Sequence, residues 1–151
     1  MAIDGLKGVF MPIFLTLDGI KGEVANFKDA IELDSWSWGV SRPSASGAPA
    51  SQTFVFTSIP AGHSPQLTNA LVSNETLENN NTLSIFKHGD VTATTAPYIS
   101  FVFGNGQIES YQIGGAGGGP PLEQFSLNFE YLKYELGGYS SEIGILLKDA
   151  I

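Results

Sequence analysis

The stretch FSLNFEY, residues 125–131, alternates apolar and polar side chains without a break. Successive side chains of a strand point to opposite faces, so a period of two predicts a strand with one buried face and one face toward water or a lumen. The phase breaks at Leu132 and Tyr134, which indicates a bulge or a change of burial. The side chains assigned to the buried face are Phe125, Leu127, Phe129 and Tyr131.

Further short segments predict strands, because they are rich in β-branched and aromatic residues and end at turn residues. Asn105-Gly106 is a pair typical of two-residue hairpins, so the strands on either side of it are predicted to be antiparallel neighbours. The predicted strands are Met11–Leu17, the alternating start of Ala30–Val40, Gln52–Ile59, Thr82–His88, Tyr98–Gly104 and Gln107–Ile113.

One short helix is predicted after residue 63. Ser64 is a suitable N-cap, and Pro65 suits the first helical position, where its missing N–H costs nothing. The apolar stripe is Leu67, Ala70 and Leu71, and the helix should end near Ser73-Asn74. A helix of about three turns is not stable alone, so it must dock on the sheet.

These elements predict a mainly β fold, a small antiparallel β-barrel or sandwich with one short flanking helix, in a single domain over residues 1–151. The segments 41–51 and 114–121 are rich in small residues, glycine and proline, and both are predicted to be loops. The charged fraction is 15%, low for a soluble domain, and favours an oligomer whose surface is partly covered.

Composition excludes several functions. The net charge is −8 with seven basic residues, so no cluster of Lys and Arg is present to bind nucleic acid or an anionic membrane. The absence of cysteine excludes disulfides and thiolate chemistry. The apolar stretch 9–17 is interrupted by Pro12 and Thr16, lacks a basic region before it and is interpreted as a strand rather than a signal peptide.

No catalytic, cofactor or metal site is predicted. His63 and His88 have no metal-ligand spacing and no nucleophile elbow accompanies them, so both are interpreted as surface or loop residues. The glycine run 114–119 is followed by two prolines rather than the Lys-Ser/Thr of a phosphate-binding loop. The carboxylates of Glu32 and Asp34 are interpreted as part of a solvated strand face.

The string SWSWG, residues 35–39, leaves two interpretations open. Trp36 and Trp38 share a strand face, and their rings could anchor a core or a subunit interface. Alternatively they could form a stacking platform in a ligand-binding β-barrel. The first interpretation is favoured.

Four strings of the sequence, in order over about residues 12–135, together resemble the Hcp family, the tube protein of type VI secretion systems. The strings are LDGIKGE (17–23), IELDSWSWGVS (31–41), FT (56–57) with SPQL (64–67) through Ala70, and EQFSLNF (123–129) through Tyr134. The resemblance implies a small β-barrel with a flanking helix that assembles as a homohexameric ring. The rings stack into a tube, which a contractile sheath expels together with a spike.

The resemblance also implies roles for individual residues. Ser37 would line the lumen, where small effector cargo is carried. The loop from Arg42 would touch a neighbouring subunit or ring, and the helix 64–73 would face the sheath. The loop candidates are Arg42, Pro43, Ser44, Ser46 and Gly47, and the outer-helix candidates are Pro65, Gln66, Thr68 and Asn69.

The protein would be cytoplasmic before firing and secreted afterwards without a signal peptide. It would be no enzyme, would need no cofactor and would not insert into a membrane. A tail-tube protein of a phage or of another contractile injection particle is an alternative with similar physics.

Overall fold

The structure is a computed structural model that describes residues 11–24, 27–42, 44, 47, 50–51, 53–79, 81–87 and 96–142. The described residues form twelve strands and one helix, α1, His63–Val72. The strands are β1 Ile13–Thr16, β2 Ile31–Glu32, β3 Ser35–Ser37, β4 Val40–Ser41, β5 Ala50–Ser51, β6 Phe54–Ser58, β7 Asn81–Ile85, β8 Ile99–Gly104, β9 Gln107–Gly114, β10 Leu122–Asn128, β11 Tyr131–Leu136 and β12 Tyr139–Glu142.

The strands form two main antiparallel sheets. A six-stranded sheet has the order β12-β11-β8-β7-β1-β2, and a four-stranded sheet has the order β3-β6-β10-β9. Strands β4 and β5 form a separate two-stranded ribbon that extends the chain beyond β3. The expectation of a mainly β fold with one short helix is therefore confirmed.

A shared apolar core lies between the two sheets. Phe54 of β6 is fully buried, and its ring lies 5.6 Å from that of Phe101 and 5.0 Å from that of Phe103, both on β8 of the other sheet. A fully buried Phe stabilises a fold by about 1.5–3 kcal/mol, because its apolar surface is removed from water. Core contacts therefore join the two sheets, and among the described strands none of one sheet pairs with a strand of the other.

A closed barrel is not found among the described strands. The six-stranded sheet ends at β12 and β2, and the four-stranded sheet ends at β3 and β9. The expected choice between barrel and sandwich is resolved in favour of two packed sheets. The physical reason is that side-chain packing, and not a continuous ladder of backbone hydrogen bonds, connects the sheets.

The predicted hairpin at Asn105-Gly106 is wrong. Strand β8 before it belongs to the six-stranded sheet and β9 after it to the four-stranded sheet, so the two strands do not pair. Gly106 instead exchanges two backbone hydrogen bonds with Leu77, of 2.7 and 3.0 Å. A Cβ atom at Gly106 would lie 2.8 Å from the carbonyl oxygen of Asn128, so close backbone approach explains the glycine.

The phase break after residue 131 marks a change of sheet. Phe125 and Leu127 of β10 are buried, as predicted, and Phe129 is half-buried beyond the strand end. The chain then crosses to the other sheet, where Tyr131 begins β11 with 40% of its surface exposed. The prediction that Tyr131 shares the buried face is therefore wrong, and the predicted change of burial is confirmed.

Helix α1 begins at His63, two residues before the predicted first helical position, Pro65, so the prediction that Ser64 is the N-cap is wrong. Gly62 occupies the N-cap position and no side chain caps the helix, while the Ser64 hydroxyl accepts a hydrogen bond from the N–H of Ala61. Leu67 and Ala70 are buried, as the apolar stripe predicts, and Ser73 ends the helix. The helix packs against β9 at the edge of the four-stranded sheet.

Candidate functional site

Apart from Glu109, an exposed residue at the register irregularity of the edge strand β9, the four-stranded sheet presents an uncharged face to the exterior. Cross-strand pairing places its side chains in rows, and the residues opposite the core rows are polar or aliphatic without formal charge. This surface is called the neutral face below. Its residues are Ser35, Ser37, Val55, Thr57, Ser110, Gln112, Gln124 and Ser126.

Hydroxyl pairs link neighbouring strands across the neutral face. The hydroxyl oxygens of Ser35 and Thr57 lie 2.6 Å apart, and those of Ser110 and Ser126 also lie 2.6 Å apart. These pairs satisfy polar groups within the sheet without introducing charge. The surface can therefore contact diverse molecules without strong electrostatic attraction or repulsion.

The outward face of the six-stranded sheet is different in character. Lys133 and Glu142 lie opposite each other on β11 and β12, and Glu135 and Glu32 also project from this face. The chain as a whole has a net charge of −8, so the scarcity of charge is confined to the neutral face of the four-stranded sheet.

Ser37 lies on the neutral face, where it is exposed and pairs with Val55 of β6. Of the loop candidates, Arg42 and Ser44 are exposed beside the β4–β5 ribbon. The half-buried Gly47 donates its N–H to the Ser44 carbonyl oxygen at 3.0 Å. The candidates Pro43 and Ser46 lie outside the described residues.

The outer-helix candidates differ in accessibility. Pro65 and Asn69 are exposed, and the half-buried Thr68 donates its hydroxyl to the Pro65 carbonyl oxygen at 2.8 Å. Gln66 accepts the N–H of Lys21 at 2.9 Å and donates to the Lys21 carbonyl at 3.0 Å. Its side-chain amide therefore holds the segment after β1 against the helix.

Trp36 and Trp38 pack on the core. The Trp36 ring meets that of Phe101 edge-on at 5.3 Å, and the Trp38 ring stacks on Phe54 at 5.9 Å. Both indoles are half-buried by these contacts. The structure thus places the two tryptophans as the favoured interpretation expects, Trp36 on the inner side of β3 and Trp38 just after that strand, both packed on core rings.

A buried polar cluster was missed by the sequence analysis. Its centre is Glu123 of β10, which is 1% exposed. Oε2 of Glu123 accepts hydrogen bonds from the Ser58 hydroxyl and from Nε2 of His63, and Oε1 accepts the Tyr111 hydroxyl at 2.8 Å. His63, interpreted from the sequence as a surface or loop residue, is 3% exposed in the first turn of α1, so that interpretation is wrong.

Hydrogen bonds decide the ionisation of this cluster. Burial alone would raise the pKa of Glu123, but hydrogen bonds from Ser58, Ser64, Tyr111 and His63 outweigh burial and lower its pKa below the ordinary value. The pKa of Tyr111 is raised by burial, by its hydrogen bond to Glu123 and by the negative charge there. The carboxylate is therefore ionised at neutral pH and serves as the acceptor for its neighbours.

The cluster contains a Ser, a His and a Glu, yet its geometry is not that of a catalytic triad. In a triad one imidazole nitrogen faces the serine and the other faces the carboxylate. Here Nε2 of His63 contacts both Ser58 and Glu123, and Ser58 is fully buried. The arrangement is suited to holding elements together.

Glu123 could have been found from the sequence. Extending the period of two backwards from Phe125 places residue 123 on the buried face. A carboxylate at such a position needs several donors, and those donors come from three other elements.

The described residues contain neither a metal-binding cluster nor a membrane-spanning helix. No group of three or more His, Asp or Glu side chains there is placed to hold a metal ion. Within the same residues, no helix has the length and apolar character needed to cross a membrane.

Comparisons with known proteins agree on one family. The family described as "Type VI secretion system effector, Hcp" matches residues 14–135. No curated protein matches the sequence. A solved structure of a type VI secretion system effector from Yersinia pestis has a TM-score of 0.74 at 20% identity and covers 88% of this chain and 99% of its own length.

Two Hcp structures give similar results. Hcp1 from Salmonella typhimurium has a TM-score of 0.74 at 22% identity, covering 87% of this chain and 91% of its own length. The secreted protein Hcp3 from Pseudomonas aeruginosa has a TM-score of 0.70 at 16% identity, covering 88% of this chain and 97% of its own length. At these identities the likeness establishes the fold.

Fold and family match together define a structural subunit of a type VI secretion tube. The chain belongs to the Hcp family.

Proposed function

We propose that six copies of one domain, residues 1–151, form a ring whose stacked copies make the inner tube of a type VI secretion system. A contractile sheath would expel this tube with its spike, and small effectors would travel in its lumen. The observation that carries the proposal is the neutral face, bordered on both sides by strand edges that copies of the chain could complete.

The neutral face is proposed as the wall of the lumen. A wall of hydroxyl and amide groups can be wetted, yet it binds no cargo strongly through charge, which suits a channel that must hold and release different proteins. Ser37 and Ser126 are on this wall, on the side of the sheet opposite the core. The charged face of the other sheet would lie away from the lumen.

The edges of the four-stranded sheet are proposed as subunit contacts. Among the described strands, β9 pairs only with β10, and β3 pairs only with β6. An unpaired edge exposes N–H and C=O groups that readily pair with another chain. A closed ring removes such edges, because each subunit presents one edge to the neighbour on either side.

The two elements outside the four-stranded sheet are proposed as external contacts. The segment after β4 that contains Arg42 and Ser44 would meet a neighbouring subunit or ring. The exposed side of α1, with Pro65 and Asn69, would face the sheath. Together these surfaces need no catalytic group or cofactor, and the proposed activity is mechanical.

Export is proposed to follow from firing itself. The subunit would be cytoplasmic until the sheath contracts and would then be released from the cell. The description of Hcp3 from Pseudomonas aeruginosa as a secreted protein supports this proposal.

The test uses two matched serine substitutions. Ser37→Glu would place six added negative charges at one level of the lumen, whereas Ser140→Glu changes an exposed serine of β12. Native mass spectrometry should show a six-subunit species for both variants at micromolar concentration. At low salt, only the Ser37→Glu ring should retain a small basic test protein more strongly than the unmodified ring.

Three outcomes would contradict parts of the proposal. A monomer at every concentration would refute the ring. Loss of the ring in Ser37→Glu alone would place Ser37 in an interface. Equal retention of the basic protein by both variants would show that Ser37 does not line the lumen.

A further inference from the structure

We propose that the Glu123 carboxylate is an acid-sensitive latch that fastens the first turn of helix α1 to the four-stranded sheet. While the carboxylate is ionised it holds the turn in place, and its protonation releases the turn. This regulation goes beyond the proposed tube function and does not depend on it.

The geometry of the latch joins four elements at one side chain. Glu123 belongs to β10, and the donors Ser58, His63 and Tyr111 belong to β6, α1 and β9. Both carboxylate oxygens are used, and Glu123 and Ser58 are buried to 1% and 0% exposure. Hydrogen bonds to a buried charged acceptor are roughly twice as strong as those between neutral groups.

The N-terminus of helix α1 has few stabilising groups of its own. No side chain caps the helix, and its first turn contains no acidic residue. The N–H groups of a helix start favour a nearby negative charge. Glu123 reaches the first turn through the side chains of His63 and Ser64, while the exposed Glu23 lies against the N-cap residue Gly62.

Protonation would reverse the role of the carboxyl group. An ionised carboxylate only accepts hydrogen bonds, whereas a protonated one must donate through one oxygen. The Ser58 hydroxyl, the His63 imidazole and the Tyr111 hydroxyl would then compete for the remaining acceptor capacity. A buried donor without an acceptor is costly, so the turn would open to water.

The direction of the pH effect follows from the lowered pKa of Glu123. A carboxyl group with a lower pKa in the folded state stabilises that state above its unfolded pKa, whose ordinary value is 4.5. This stabilisation is lost as the pH falls through the folded pKa. The latch is therefore closed at neutral pH and opens in acid below 4.5.

Other ionisable groups face the cluster. His63 contacts the carboxylate from α1, and Tyr111 contacts it from β9. The Glu23 side chain lies against Gly62, immediately before the helix, and is exposed. Once Glu123 is protonated, the His63 imidazole has lost its buried anionic acceptor, which reinforces opening.

Three further anchors of α1 are not ionisable. Leu67 and Ala70 are buried in the core, and the Gln66 amide bonds to the main chain of Lys21. Opening should therefore be confined to the first turns of the helix and leave the sheets folded.

The test measures hydrogen exchange of the intact protein in a series from about pH 7 to about pH 3, with rates corrected for intrinsic exchange. It compares the unmodified chain with Glu123→Gln, and uses Glu109→Gln, an exposed glutamate of β9, as the matched control. At pH 7, Glu123→Gln should lower protection at the start of α1 at least tenfold, and the control should not change it. The unmodified chain should converge on Glu123→Gln in acid.

Two results would overturn the latch. One is equal protection of α1 in the unmodified chain and Glu123→Gln at pH 7. The other is a fall in protection in acid that is the same for both proteins. If Glu123→Gln does not fold, the pH series of the unmodified chain alone tests the proposal. Its helix must lose protection at a higher pH than β8 and β10, and simultaneous loss would refute the proposal.

Discussion

Replacing Phe54 by Ala tests whether side-chain packing joins the two sheets. Phe54 is fully buried and its ring contacts aromatic rings on both sides of the core, among them those of Trp38, Phe101 and Phe103. Removing a buried Phe side chain costs about 3–5 kcal/mol through lost transfer energy and the cavity that remains. Against a typical domain stability of about 5–15 kcal/mol, this is a large share.

The assay is urea unfolding followed by tryptophan fluorescence, since Trp38 lies directly on the Phe54 ring. Val55→Ala is the control, because Val55 is the next residue of β6 and points to the neutral face, where it is half-buried. Its cost should stay below about 1.5 kcal/mol. All proteins are compared at one concentration, because association would add to apparent stability.

A cost for Phe54→Ala below about 1 kcal/mol would refute this account of the core. The same conclusion would follow if Val55→Ala were equally destabilising, since the two faces of β6 would then be energetically alike.

Three further predictions concern single contacts. Gly106→Ala should destabilise the protein by about 1–3 kcal/mol in thermal unfolding, because the added Cβ would meet the Asn128 carbonyl oxygen. The control Gly117→Ala, whose Cβ meets open space, should leave thermal unfolding unchanged. Gln66→Ala removes two hydrogen bonds to Lys21 and should cost about 1–2 kcal/mol in urea unfolding; no change would show that these bonds contribute nothing. Because the folded pKa of Glu123 is lowered, the stability difference between the unmodified chain and its Gln variant should shrink as pH falls below 4.5; a difference that grows would contradict the sign.

Local patterns predicted most of the elements. The alternation around Phe125 and the stripe of Leu67 and Ala70 are direct consequences of strand and helix geometry, and the structure buries those side chains. Four sequence strings in order also sufficed to indicate the Hcp family, which the match over residues 14–135 confirms.

The assignment of strands to sheets could not be predicted from local signals. Asn105-Gly106 has the composition of a hairpin turn, but the partners of Gly106 and Asn105 are the main-chain groups of Leu77 and Glu78. A bond between residues so far apart in sequence is decided by the packing of the whole domain. The break in phase at Leu132 and Tyr134 indicated a bulge or a change of burial, but it did not indicate a second sheet.

The hydrogen-bond donors of Glu123 could not be predicted for a related reason. A carboxylate in the sequence usually marks the end of a predicted buried strand face, because burying an unpaired carboxylate is costly. Its donors Ser58, His63 and Tyr111 come from three separate elements, so no local pattern announces them. The tryptophans were easier, because two large rings on one strand face favour a core position in any β fold.

The central claim is that copies of this chain enclose a channel with the neutral face inside. A single-particle electron microscopy reconstruction of the purified protein tests it most directly. The account predicts an annulus of six subunits with Ser37 and Ser126 toward the central hole. A solitary subunit, or a ring whose hole is lined by Lys133 and Glu135, would contradict it.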